Sequence, residues 1–226
     1  MARRARQVFA GEVHLAMLLA KPGNTPLQAD TLRHSIVAQL RDDAAALGVA
    51  VHGFCLLPHA ISALVTPRDA AGLALLMKHA GQTITRAQAV SVESPWEGRY
   101  RCTAFDASSS LDALFAVEAQ LLAQPHVSPV PNGISSYAHW TGNDHIPWLA
   151  PLASVWALGN TPFGRQAAYQ SAFESFVQTD RPARVFEAAK HGWPQGSAQW
   201  LHGLAQQTGS SVQKKPPGRK LSPIKN

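Results

Sequence analysis

The sequence is poor in cysteine, in tyrosine and in charged residues. Of its 226 residues, two are cysteine, three are tyrosine and 15% are charged. Cys55 and Cys102 have no paired spacing, which favours a reducing cytoplasmic setting over a disulfide framework. No apolar run approaches the roughly 18 residues that a membrane-spanning helix needs, and the basic start lacks the cleavage site of a secretory signal. These absences predict a cytoplasmic protein with no membrane partner.

The positive charge is concentrated at the two ends of the chain, neither of which carries an acid. Removing the eight basic residues of the ends from the net charge of +6 leaves the part between them at −2. Basic arms of this kind contact phosphate backbones through salt-sensitive, sequence-blind interactions. The basic residues are Arg3, Arg4 and Arg6 at the start and Lys214, Lys215, Arg219, Lys220 and Lys225 at the end.

Hydrophobic periodicity in the first half of the chain predicts the order β-α-β-β-α-β. Gly48 stands where the first helix needs a left-handed residue to end. This order is the ferredoxin-like arrangement, an α+β fold in which two helices cover one face of an antiparallel sheet. The predicted elements are a strand within 8–20, a helix over 27–47, two strands joined at Pro58–His59, a helix over 73–88 and a strand near 101–105.

Further helices are predicted after the last of these strands. Ser108–Ser110 can cap a third helix over 111–123, and a proline-rich connector separates it from helices over 162–178 and 196–207. The sequence from residue 209 has the composition of a disordered tail. The predicted organisation is a basic arm (1–7), a ferredoxin-like domain (8–140), a helical C-terminal extension (141–208) and a disordered basic tail (209–226).

Four stretches, in order over about 200 residues, resemble the single-tyrosine HUH transposases of bacterial insertion sequences, specifically the REP-associated type. The first is GVAVHGFCLLPHAISALVTP, which follows the strand–MPNH–strand pattern of the family, and the second is PWEGRYRCTAFDA. The third is ISSYAHW, and the fourth is VFEAAKHGWPQGSAQWLHGLAQQTG with the basic PPGRK after it. The resemblance implies the same ferredoxin-like fold with a C-terminal helix pair.

The resemblance also implies a chemistry, because the family cuts single-stranded DNA. A tyrosine hydroxyl attacks a backbone phosphate, and Mg²⁺ or Mn²⁺ held by two histidines neutralises the charge that develops. Two histidines at i and i+2 of one strand can hold one metal because alternate strand side chains point to the same face.

The residues for this chemistry are missing from the matching positions. The two metal-ligand positions fall on Ala60 and Ser62, and neither side chain can replace imidazole. The nucleophile position falls on Phe115, Ala116 or Val117, none of which carries a hydroxyl. The sequence therefore predicts a catalytically degenerate member of the family that binds no metal cofactor.

Two other groups of residues could still hold a metal. His59 is one residue from the first ligand position, so it would need a local bulge to reach the correct face. His139, Asp144 and His145 are of metal-ligating types, but their spacing matches no known template. The predicted metal site is therefore none.

The predicted function is binding of single-stranded or hairpin DNA without cutting it. Tyr100 could stack on a base or could belong to the core, as could Trp96. One alternative is an active transposase that uses non-standard residues; the other is an interaction module that regulates an intact relative, as a homodimer or heterodimer. The predicted DNA contacts are Arg3, Arg4, Arg6, Arg99, Tyr100, Arg101, Lys214, Lys215, Arg219 and Lys220.

Overall fold

An antiparallel sheet forms the centre of the molecule. The computed structural model describes residues 6–88, 93–122, 133–209 and 211–212, and within them the sheet has five strands in the order β4-β1-β3-β2-β5. The first four strands have the ferredoxin-like order, which confirms the predicted α+β fold. The strands are β1 (Val13–Leu19), β2 (Val49–Leu57), β3 (Ala60–Pro67), β4 (Arg101–Phe105) and β5 (Ile134–Ser135).

Two long helices, α1 (Asp30–Leu47) and α2 (Ala70–Ala87), pack against each other and against one face of the sheet. As predicted, α1 ends at Gly48, which has a left-handed φ of 64° that favours glycine. At the start of α2, the carboxylate of Asp69 accepts a hydrogen bond from the backbone N–H of Gly72. In both helices the buried residues recur at helical spacing, so one face of each helix packs against the core.

The opposite face of the sheet is covered by α3 (Ser110–Ala119) and α7 (Arg181–His191), and α6 (Pro162–Val177) packs on both of these helices. Thr103 of β4 donates a hydrogen bond to backbone carbonyls of α7 on this side. Three more helices complete the described chain: α4 (Tyr137–Trp140), α5 (Ala153–Trp156) and α8 (Ala198–Thr208). The C-terminal helices thus close the face that the two ferredoxin helices leave open.

The start and end of α3 differ from the sequence prediction. No serine side chain caps the helix; the carboxylate of Asp106 accepts hydrogen bonds from the Ser109 backbone N–H at 2.9 Å and the Ser108 hydroxyl at 2.7 Å. The helix ends at Ala119, four residues before the predicted end. The proline-rich connector lies outside the described residues, except for its ends.

The main hydrophobic core includes side chains from both sides of residue 140. Phe115 of α3 contacts Tyr169, Phe173 and Phe176 of α6, with ring centroids 4.9 to 5.6 Å apart. All four side chains are buried within the cluster that also contains the sheet. Within the described part of the chain, no helix is both long and apolar enough to cross a bilayer.

The same substitution, glycine to alanine, should have opposite effects on stability at two helical glycines. A Cβ atom at Gly72 would lie 2.6 Å from the backbone oxygen of Leu47, which a side-chain movement cannot relieve. We expect Gly72→Ala to lower the free energy of unfolding by about 1–3 kcal/mol. Gly203 in α8 has no neighbour within 4 Å of such an atom, so Gly203→Ala should raise it by about 0.5–1 kcal/mol. Urea denaturation of both variants measures the change in the free energy of unfolding, which should be negative for Gly72→Ala and positive for Gly203→Ala.

Candidate nucleic-acid interface

The two positions that match the metal ligands of the family lie inside the core. Ala60 and Ser62 are on the face of β3 that α3 covers, and their exposed fractions are 2% and 0%. The Ser62 hydroxyl donates a hydrogen bond to Gln120 Oε1 at 3.0 Å, and the Gln120 amide donates to the backbone oxygen of Val117 at 3.1 Å. The space where a metal ion would be held is therefore occupied by packed side chains.

The residues at the nucleophile position are also packed. Phe115, Ala116 and Val117 are consecutive residues of α3, and all three are buried. Tyr169 contacts this helix, but its hydroxyl donates to Glu118 Oε2 at 2.7 Å. Burial raises the pKa of Tyr169 well above its ordinary value, which disfavours the phenolate that would act as a nucleophile.

A buried carboxyl group, which sequence reasoning missed, joins the elements on this side of the sheet. Glu118 Oε1 accepts a hydrogen bond from the Ser136 hydroxyl at 2.6 Å, and Ser136 Oγ accepts one from the Phe54 backbone N–H at 3.0 Å. Together with the Tyr169 bond, these contacts connect α3, β2, α6 and the segment after β5. Burial raises the pKa of Glu118 to about 8. A lone acid within the apolar stretch LFAVEA is the sequence signal that could have indicated such a group.

The residues present do not fit the divalent metal of the family. Among the described residues, no group of three or more His, Cys, Asp or Glu side chains is placed to hold a metal ion. His59 lies exposed in the turn between β2 and β3, whose register runs without a shift from Gly53 to Leu57. The bulge that would turn His59 toward the metal position is therefore absent from this part of the hairpin; the register shift between β2 and β3 lies at Val51–Gly53.

The other histidine group, in the segment after α4, is held by its own backbone. His139 Nδ1 accepts a hydrogen bond from the Ile146 N–H at 3.1 Å, and Asp144 accepts one from the His145 N–H at 2.7 Å. The rings of His139 and His145 have centroids 6.0 Å apart. These contacts use Nδ1 of His139 and one carboxylate oxygen of Asp144 within the segment itself.

Four of the ten predicted DNA contacts lie together at the β4 edge of the sheet. The Arg6 guanidinium is 3.9 Å from the centre of the Tyr100 ring, and its Nε donates to the Tyr100 backbone oxygen at 2.8 Å. Arg101 pairs with Glu97 at 3.0 Å, whereas Arg99 is exposed and makes no hydrogen bond or ion pair with any described residue. The other six, Arg3, Arg4, Lys214, Lys215, Arg219 and Lys220, lie outside the described residues.

The two aromatic residues of this loop belong to the packed structure. Trp96 is 6% exposed, and its indole N–H donates to the Gly81 backbone oxygen and to Thr85 Oγ1, both at 3.2 Å. Tyr100 is 9% exposed because Arg6 covers its ring. The packing interpretation is therefore confirmed for Trp96. The ring of Tyr100 lies under the Arg6 guanidinium, so this ring is not open to stack on a base.

A polar cavity of about 440 Å³ adjoins this loop and adds two basic residues to the site. It lies between the 99–102 segment and the end of α7, which contributes Lys190 and His191. Lys190 forms an ion pair with Glu187. Sequence reasoning missed both residues, because only the docking of α7 on β4 brings them next to Arg99.

Comparison with known proteins supports the fold and leaves the function open. No family model matches the chain, and no curated protein matches it. A solved structure of a REP-associated tyrosine transposase bound to a REP hairpin is similar, with a TM-score of 0.52 and 11% sequence identity. The similarity covers 68% of this chain and 94% of that one. At this identity the similarity shows a shared transposase-like fold.

Proposed function

We propose that this protein binds single-stranded or hairpin DNA and does not cut it by the tyrosine-and-metal chemistry of the transposases it resembles. One observation carries the proposal: the face of the sheet where that chemistry would occur is filled by buried side chains. Ala60 and Ser62 lie beneath α3, and the three residues matched to the nucleophile position, Phe115, Ala116 and Val117, are all buried. A cationic surface remains at the β4 edge, outside this packed region.

The charge and the form of that surface support DNA as the partner. Arg6, Arg99 and Arg101 are three guanidinium groups on one edge, and guanidinium geometry suits phosphate oxygens. Tyr100 holds Arg6 and Glu97 holds Arg101, so two of the three are already oriented. The basic residues of both chain ends would add contacts that do not depend on sequence. The similar transposase is itself bound to a hairpin.

Native and denaturing gels with labelled single-stranded hairpin DNA test the proposal directly. We expect a shifted band in the native gel, with or without Mg²⁺ or Mn²⁺, and intact DNA in the denaturing gel. A cut strand, or a metal-dependent band that survives denaturant, would instead support an active transposase that uses non-standard residues. No shift at any salt concentration would contradict the DNA-binding function.

Replacing one arginine should reduce the affinity for all sequences alike. Arg99 is the exposed member of the group, so Arg99→Gln is expected to lower the affinity for hairpin DNA about three- to tenfold and to reduce the salt slope by about one. Fluorescence anisotropy titrations at several salt concentrations measure both quantities. Arg41→Gln is the control, because Arg41 is an exposed arginine of α1 that does not line the polar cavity at the β4 edge. Equal slopes for both variants would contradict a phosphate contact at Arg99.

A second candidate function, an interaction module, is favoured by two exposed aromatic side chains. Phe163 at the start of α6 is 84% exposed, and Trp156 at the end of α5 is 55% exposed beneath the Arg165 guanidinium. Light scattering of the purified chain, alone and mixed with an intact transposase, distinguishes a homodimer or a heterodimer from a monomer. Association that Phe163→Ser abolishes, in the absence of DNA binding, would favour this function.

A further inference from the structure

The N-terminal segment, defined here as residues 6–12, packs against α8 near the end of the chain. Phe9 is buried in a small hydrophobic cluster with Ala104 of β4, Leu204 of α8 and Val212. Trp200 of α8 packs against the same cluster. The cluster is distinct from the main core, in which the rest of the sheet is buried. The contacts of α8 therefore include the segment from which Arg6 extends.

Hydrogen bonds attach this segment to residues that are far away in the sequence. The Trp200 indole N–H donates to Glu12 Oε2 at 3.0 Å. The Gln7 side-chain amide donates to the backbone oxygen of Ser211, 204 positions further along the chain, at 3.3 Å. Both ends of the N-terminal segment are thus bonded to α8 or to the residues that follow it.

The start of α8 is in turn fixed to β4. The Gln195 backbone N–H donates to the Ala104 oxygen at 2.8 Å, and the Asp106 N–H donates to the Gln195 oxygen at 3.0 Å. The Asp106 carboxylate accepts a hydrogen bond from the Ser197 N–H at 2.7 Å. Because α8 begins at a fixed point on the edge strand, it can hold the N-terminal segment at that edge.

Arg6 is the residue whose position depends on this arrangement. Its guanidinium lies over the Tyr100 ring and lines the polar cavity at the β4 edge. A long side chain near the end of a chain loses backbone and rotamer freedom when it binds a phosphate, and that loss weakens binding. Docking of the N-terminal segment on α8 removes part of this freedom before any ligand binds.

We infer that Leu204 and Trp200 of α8 are positioning residues for DNA binding, which act by holding Arg6 at the β4 edge. Neither side chain lines the polar cavity. The inference rests on the proposed DNA-binding function and assigns to it a helix that need not touch the DNA.

Trypsin cleavage between Arg6 and Gln7 tests the positioning in the absence of DNA. Proteolysis of a docked segment follows the population of its open form. Loss of the buried Leu204 side chain should open the small cluster, so Leu204→Ala is expected to speed this cleavage at least about tenfold, as measured by mass spectrometry. Cleavage after Arg41 of α1, which requires opening of the main core, should keep its wild-type rate. Gln199→Ala changes an exposed residue of α8 and is the matched control.

Fluorescence anisotropy with labelled hairpin DNA and the full chain tests the route to DNA. Arg6→Gln and Leu204→Ala should each lower the affinity about three- to tenfold. The double variant should bind no more weakly than either single variant, because both changes remove the same contact. Gln199→Ala should bind as the wild-type protein does.

The inference and the proposed function fail in different ways. If the losses multiply in the double variant, or if Leu204→Ala leaves trypsin cleavage after Arg6 unchanged, the positioning role is wrong and DNA binding stands. If the wild-type protein binds no hairpin, the proposed function is wrong, and the inference is wrong with it. Should Leu204→Ala fail to fold by circular dichroism, Trp200→Ala, which changes a half-buried side chain, should give the same two results, and wild-type behaviour of this variant would overturn the inference.

Discussion

Glu118→Ala is expected to lower the free energy of unfolding by about 3–5 kcal/mol. The Glu118 carboxyl accepts hydrogen bonds from Ser136 and Tyr169, and its removal opens a cavity. The buried Tyr169 hydroxyl then loses its acceptor, and the Ser136 hydroxyl keeps only a long contact of 3.4 Å to the Phe54 backbone oxygen. The loss should be one of the largest from a single substitution in this chain. Urea denaturation followed by far-UV circular dichroism measures it. Glu174→Ala, which removes an exposed carboxylate from α6, is the control and should change stability by less than about 0.5 kcal/mol.

The same carboxyl group predicts how stability depends on pH. The pKa of Glu118 is raised by burial from 4.5 to about 8, so the folded state holds a proton that the unfolded state releases above pH 4.5. Its contribution to stability is therefore complete below about pH 4.5 and is lost as pH rises through 8. A shift of this size corresponds to at most about 5 kcal/mol.

Glu118→Gln isolates this effect, because glutamine keeps the size of the side chain but does not titrate. Burial lowers the pKa of His14 to about 4, and burial lowers the pKa of His52 as well, so both histidines favour the folded state as pH rises through their ordinary range. Their contributions cancel when the wild-type protein and Glu118→Gln are compared at each pH. We expect the glutamine variant to gain stability relative to the wild-type protein between pH 5 and pH 9. Parallel pH profiles would mean that Glu118 is ionised in the folded protein.

Elements with a strong local pattern could be predicted from the sequence. The helical spacing in α1 and α2 reflects a single buried face, and Gly48 ends α1 through its own backbone freedom. The alternation in β1 predicts a strand but not its full burial, because helices cover both faces of the sheet and His14, Ala16 and Leu18 are buried as well. The sequence predicts the wrong capping side chain for α3, a serine instead of Asp106. Asp106 precedes the three consecutive serines, which have the residue type that is typical of a helix cap. β5 has only two residues and forms through pairing with Cys55 and Leu56, a tertiary contact with no local signal.

The candidate site could be predicted only in part for the same reason. Arg99, Tyr100 and Arg101 are consecutive, and their motif carried the resemblance that indicated a DNA contact. Lys190 lies about ninety residues further along the chain and reaches the site through the packing of α7 on β4.

Restoring the two histidines of the family is expected to damage the fold without creating a metal site. Ala60 and Ser62 are 2% and 0% exposed, and the Ser62 hydroxyl is bonded to Gln120. An imidazole at each position must displace packed side chains of α3, which should cost about 2–5 kcal/mol for the Ala60→His/Ser62→His double variant. Urea denaturation measures the loss. His59→Ala changes an exposed histidine in the adjacent turn and should alter stability by less than about 0.5 kcal/mol.

The double variant should also form no covalent DNA adduct in Mn²⁺, as judged by denaturing gels with labelled hairpin DNA. A covalent adduct needs a protein hydroxyl, which a metal does not supply, and the hydroxyl of Tyr169 beside α3 is buried and bonded to Glu118. Because burial raises the pKa of all three tyrosines, none is poised to act as a phenolate. A stable double variant that nicks the hairpin would show that α3 can move away from β3, and that the packed face is one of two states of this protein. An unstable variant without nicking would instead mean that this face has become a structural core.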